Sequence, residues 1–144
     1  MANQSRQASS DNSYTARYQR GLDAYASQFH ITPEQVPGWF AGAVGARFGE
    51  EAIQSAANAW TDIELSLRDR SLAVLASLIT MGGAEQQLRM HARWAVDHGC
   101  TQEELEAMAT LLAIYAGFTR AANGLMIIRE ELTKLDSPSA DTTG

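Results

Sequence analysis

The sequence predicts an all-α bundle of about six to seven helices, and three observations carry that expectation. Apolar residues recur at steps of three and four from Tyr14 to Leu135. Glycines, prolines and Ser/Thr capping residues divide this stretch into helix-length pieces. Nowhere does an alternating apolar–polar run of useful strand length occur.

The first element spans Tyr14 to Phe29, where Tyr14, Tyr18, Leu22, Tyr25 and Phe29 form one stripe. Thr32 and Gln35 then make a capping box, Pro33 suits a first helical position, and Ile31 can staple onto Val36. Pro37-Gly38 is expected to interrupt after one turn, leaving a segment from Trp39 to Phe48 that ends at Gly49. A short helix follows from Glu50 to Trp60. Ser66 with Asp69 opens a helix through Leu72, Leu75, Leu78 and Ile79, which Gly82-Gly83 stops. Ala84 to His98 is closed by Gly99. Thr101 with Glu104 forms a second capping box and starts a helix with Leu105, Met108, Leu112 and Tyr115 on one face. Gly117 breaks it, and Thr119 to Leu135 completes the fold. The short turns between the last helices require antiparallel neighbours. One domain is expected over residues 14–135, with disordered tails at 1–13 and 136–144, which hold too little apolar side chain to bury.

Composition narrows the function. The 144 residues carry 11 Lys+Arg against 17 Asp+Glu, a net charge of −6, and 45% are hydrophobic. A core can form without staples. The acidic balance argues against a nucleic-acid partner, because phosphate binding needs a positive field. Ten of the basic residues are arginine and only Lys134 is lysine, so there is no lysine-rich run for an acidic membrane surface. The lone Cys100 cannot form an internal disulfide, and no long apolar run suggests a membrane span or signal peptide. A cytoplasmic location is therefore expected.

His91 is the most informative candidate. It lies beside Leu88 and Ala95 on the apolar face of its helix, whereas Arg89, Arg93 and Asp97 form a separate stripe. An imidazole facing inward must find a partner or sit in a cavity. It is either a satisfied core histidine or a proton carrier suited to neutral pH. Tyr115 is the second candidate proton donor. Arg70 or Arg93, whichever faces a pocket, could hold a carboxylate through its two-pronged geometry. Trp94 is a core or interface anchor by type and a candidate pocket wall by position. No metal is expected: His91 and His98 are two turns, ~10.5 Å, apart, and no HExxH or cysteine cluster occurs. There is also no glycine-rich phosphate loop and no serine-hydrolase elbow. Cys100, just before a helix N-terminus, could have a somewhat lowered pKa, or could simply fill a turn.

Arg68-Asp69-Arg70-Ser71-Leu72, then Gly82-Gly83, then Leu88-Arg89-Met90-His91 stand in a telling order. They are followed by Gly99-Cys100-Thr101-Gln102-Glu103-Glu104-Leu105 and Ile114-Tyr115-Ala116-Gly117-Phe118. Over roughly residues 68–131 this ordered set resembles the carboxymuconolactone decarboxylase family. The resemblance implies an alkylhydroperoxidase D-like all-α fold, assembly as a homo-oligomer (trimer or hexamer), and cofactor-free decarboxylation of a small-molecule lactone acid. Peroxidase relatives use Cys-x-x-Cys ahead of the histidine; the corresponding positions here are Ala84 and Gln87, so thiol peroxidase activity is not expected. A glutamate and a Gln or His common in the family's capped helix are replaced by Ala107 and Leu111. If these face inward, as their helix position suggests, Leu111 lines a greasier pocket suited to an aromatic or polyketide-like substrate. The readings left open are thus a decarboxylase with His91 and Tyr115 as acid/base groups, a tailoring enzyme, and a non-catalytic ligand-binding or scaffold member.

Overall fold

A computed structural model describes residues 11–137. The tails expected at 1–13 and 136–144 lie largely outside the described residues. Of their described parts, Asp11 and Asn12 accept hydrogen bonds from the Arg20 guanidinium (2.6 and 3.2 Å), and Asp136 ends the last helix. Among the described residues there are seven α-helices, one short 3-10 turn and no strand, as the sequence predicts. The described residues divide into two compact units, with the boundary between Leu65 and Ser66.

The first unit holds α1 (Tyr14–Phe29), a 3-10 turn (Pro33–Gln35), α2 (Val36–Ala43) and α3 (Ala46–Ala59). Ser13 caps α1, its Oγ accepting from the Ala16 amide. The Thr32–Gln35 capping box forms as its spacing requires. Val36, Phe40, Ile53 and Ala26 make the core, with Tyr18, Leu22, Tyr25 and Phe29 of the predicted α1 stripe packed against it. Two expectations fail here. Pro37-Gly38 does not interrupt: Pro37 occupies the first turn of α2, where its missing amide hydrogen leaves no bond unmade. The break comes instead at Val44-Gly45, because Gly45 takes φ 100°, open to glycine and strained for other residues. Gly49 likewise ends nothing. It lies inside α3 and lets that helix close onto Phe40, whose Cβ would be 2.5 Å from any Cβ added at Gly49.

The second unit holds α4 (Leu67–Met81), α5 (Glu85–Asp97), α6 (Gln102–Tyr115) and α7 (Phe118–Asp136). The predicted starts are present: Ser66 Oγ accepts from the Asp69 amide at 3.0 Å, and Thr101 with Glu104 completes the second capping box. α7 packs on α4, α5 and α6. Leu75, Ile79, Leu88, Ala92, Ala95, Cys100, Leu105, Ile128 and Leu132 interlock as the core. Burying each large aliphatic side chain contributes roughly 1.5–3 kcal/mol, offset by the entropy of ordering it.

The α6 register corrects a further expectation. Leu105 and Ala109 are buried and Met108 and Leu112 pack against the core, but Ala107, Leu111 and Tyr115 are exposed. The polar-to-apolar replacements at Ala107 and Leu111 therefore do not point inward. The helix carries apolar residues on two faces, and packing selects the Leu105–Leu112 stripe.

Candidate functional site

The residues singled out from the sequence all fall in the second unit. The chain folds locally to place His91 on the core side of α5, between Leu88 one turn before and Ala95 one turn after, both buried. Its ring meets Trp94 edge-to-face, with ring centres 4.5 Å apart and an interplanar angle of 81°. Trp94 is itself buried, which makes it a wall against the imidazole. Removal from water pushes the His91 pKa down to about 4, and the neighbouring charge of His98 adds to that shift. At neutral pH the ring is a neutral imidazole, able to accept a proton at one nitrogen and donate a hydrogen bond from the other.

His98 caps the C-terminus of α5, and its Nδ1 is 2.7 Å from the Oγ of buried Ser71 on α4. Burial lowers its pKa too, with Asp97 opposing. Sequence reading missed this pair. Its only local signal is Ser71 lying one turn before Leu75 on the buried face of α4.

The two candidate arginines differ. Arg70 is only 7% exposed, a depth at which a guanidinium is held by partners. Arg93 is half-exposed and ion-paired with Glu131, a carboxylate 2% exposed on α7 that Arg89 and Lys134 also approach at 3.5 Å. The Arg89–Arg93 stripe is thus an interhelical clamp. Desolvation opposes ionisation of Glu131, but Arg93 and Lys134 outweigh it and keep the carboxyl below its usual range.

Tyr115 and Leu111 are exposed on the outer face of α6, unlike His91, Trp94 and Arg70. The greasy-pocket argument for a polycyclic substrate loses its basis with them. Cys100 packs in the core, and burial pushes its thiol up; nearby Arg68 opposes only in part. The lowering expected from the helix N-terminus is not what the surroundings produce. A cleft of about 90 Å³ opens beside the α4–α5 turn, but its Arg120 donates to the Thr80 and Met81 carbonyls at 2.6 Å each, capping α4. Among the described residues no three His, Cys, Asp or Glu are placed to hold a metal ion, and no helix is long and apolar enough to cross a membrane.

Against known proteins, the carboxymuconolactone decarboxylase family profile matches residues 42–130, starting further upstream than the motifs at 68–131. A 4-carboxymuconolactone decarboxylase of Acinetobacter baylyi is 36% identical over 75 residues, 52% of this chain and 54% of that protein. The chain spans about half the length of this curated relative. With the profile match covering well over half of the chain and an all-helical fold around His91, the chain belongs to the carboxymuconolactone decarboxylase family.

Proposed function

We propose that this protein is a cofactor-independent acid–base lyase that decarboxylates a lactone or β-keto acid, with His91 as its proton-transfer group. The observation that carries the reading is the His91 imidazole itself: held against Trp94, largely desolvated, and neutral at physiological pH. The similarity to a 4-carboxymuconolactone decarboxylase supports the substrate class.

The chemistry asks little else of the protein. When the bond to the carboxylate breaks, carbon dioxide leaves and its electron pair enters the substrate's own carbonyl as an enolate. The protein must stabilise that oxygen and deliver one proton to carbon. A desolvated imidazole is a reluctant cation alone, but an anionic substrate bound beside it favours the charged form. Substrate binding then brings a proton onto His91 from solvent. After decarboxylation the imidazolium gives that proton to carbon and returns to neutral. Arg70, the deeper of the two candidate arginines, is assigned to the substrate carboxylate; Arg93 serves Glu131. Tyr115 keeps a role only where its exposed face meets another surface.

The test is carbon dioxide release from 4-carboxymuconolactone and simple β-keto acids, comparing wild type with His91→Ala and His91→Gln of unchanged helical circular dichroism. Loss of a positioned proton carrier should lower kcat by about 10²–10⁴-fold. Unchanged turnover in a folded variant removes the proposal.

A further inference from the structure

Gly82 and Gly83 turn the chain from α4 into α5, and residues of α7 close the third side of the cleft of about 90 Å³ beside that turn. Its bottom is apolar. Ile79 and Leu88 are buried there, and Leu78 and Ile127 are half-buried. Filling this space with hydrocarbon removes apolar surface from water and supplies the contacts its walls lack. The mouth is polar, because Glu85, Arg120 and Asn123 are exposed around it. His91, Trp94 and Arg70 do not line the cleft, so it is separate from the acid–base site.

Arg120 is only partly used in capping α4. Its Nη1 donates to both the Thr80 and Met81 carbonyls. Gly82 lets the guanidinium lie that close, since a Cβ there would sit 3.0 Å from the same nitrogen. These two bonds fix the guanidinium and leave Nε and Nη2 without an acceptor among the described residues. That pair is an edge that grips a carboxylate through two parallel hydrogen bonds. Because the side chain is held before a ligand arrives, less freedom is lost when one binds.

Charge and size select the ligand. Glu85 brings the opposite charge to the same mouth. A bare carboxylate is repelled by Glu85 and a bare ammonium by Arg120, whereas a neutral molecule leaves both charges unanswered. A ligand bearing both charges answers both, and the Asn123 amide adds a donor and an acceptor beside them. A dry cavity of about 150 Å³ takes a six-carbon ring, so one of about 90 Å³ takes three or four carbons and no aromatic ring. We propose that this cleft binds a free branched-chain aliphatic α-amino acid. Its carboxylate lies on the open edge of Arg120, its ammonium on Glu85, and its side chain against Leu88 and Ile127. The proposal does not depend on the acid–base reading, since it is tested without turnover.

The test is NMR titration of the isotope-labelled full chain with L-leucine, with 4-methylpentanoate, which lacks the ammonium, and with isoamylamine, which lacks the carboxylate. Leucine should saturate shifts of the Gly83, Glu85 and Asn123 amides. It should bind about 10-fold more tightly than either analogue, since each lacks one charged hydrogen-bonding group. At the efficiency of drug-sized ligands its nine non-hydrogen atoms give a Kd of about 10 mM, so titration to about 50 mM detects binding even that weak. Glu85→Gln alters an exposed side chain and leaves the fold intact. It should weaken leucine by about 10-fold and strengthen 4-methylpentanoate, reversing their order. The proposal is overturned by leucine giving no saturable shift at these amides, by 4-methylpentanoate binding as tightly as leucine, or by Glu85→Gln keeping the wild-type leucine affinity.

Discussion

Titration of His91 couples the site to the stability of the fold. Its pKa moves from 6.5 to about 4, chiefly through burial. Above pH 6.5 the ring is neutral in the folded and unfolded chain alike, and pH has no leverage through it. As pH falls from 6.5 towards 4, the unfolded chain takes up a proton that the folded chain refuses, so stability is lost across that window. At ~1.36 kcal/mol per pKa unit, the whole shift corresponds to about 3 kcal/mol at most, since water still reaches part of the ring. His98 titrates in the same direction and is present in both proteins if wild type is compared with His91→Gln. Urea unfolding at intervals between pH 7 and pH 4 should show wild type losing more stability than His91→Gln, by up to about 3 kcal/mol. NMR titration of the His91 ring protons should give the low pKa directly. Parallel stability curves, or a His91 pKa near 6.5, would refute the buried-imidazole argument.

Three further outcomes follow from packing and burial. A Cβ at Gly21 would sit 2.0 Å from the Ile53 carbonyl oxygen, a backbone atom that cannot swing aside. Gly21→Ala should therefore destabilise the α1–α3 contact by about 1–3 kcal/mol despite its gain of ~1 kcal/mol in helix propensity, measured by chemical denaturation. Gly42→Ala in α2 meets nothing within 4 Å, so the same substitution there should raise stability by about 0.5–1 kcal/mol, and a loss would show that α2 needs glycine for another reason. Cys100 should react with a thiol reagent only at the rate of unfolding, because its sulfur is buried and its pKa raised; rapid labelling of the native protein would contradict that placement.

Much of the helical order was legible because its signals are local. Ser66 and Thr101 announce helix starts through side-chain-to-backbone bonds spanning three residues, and Gly82, Gly99 and Gly117 take the positive φ their positions suggest. Pro37 and Gly49 misled because each has two meanings: a breaker within a helix, or a first-turn residue and a close-contact residue. Only the packing of Phe40 against Gly49 decides between them. The site was less legible. His91 could be placed on an inward face, but α6 has two apolar stripes, and sequence alone does not say which one the core takes. Ser71 with His98, and Arg93 with Glu131, join residues 27 and 38 positions apart, distances over which no sequence period speaks.

Glu104, the capping-box residue expected from the sequence, is committed twice. Its carboxylate accepts from the Thr101 amide at 2.9 Å, closing the cap of α6, and also binds Arg68 of α4. The first of these bonds, then the second, holds it below the usual carboxylate range. It therefore stays ionised at neutral pH and has no proton to give. A kinetic defect in a Glu104 variant would be evidence about the joint between two helices before it was evidence about a reaction.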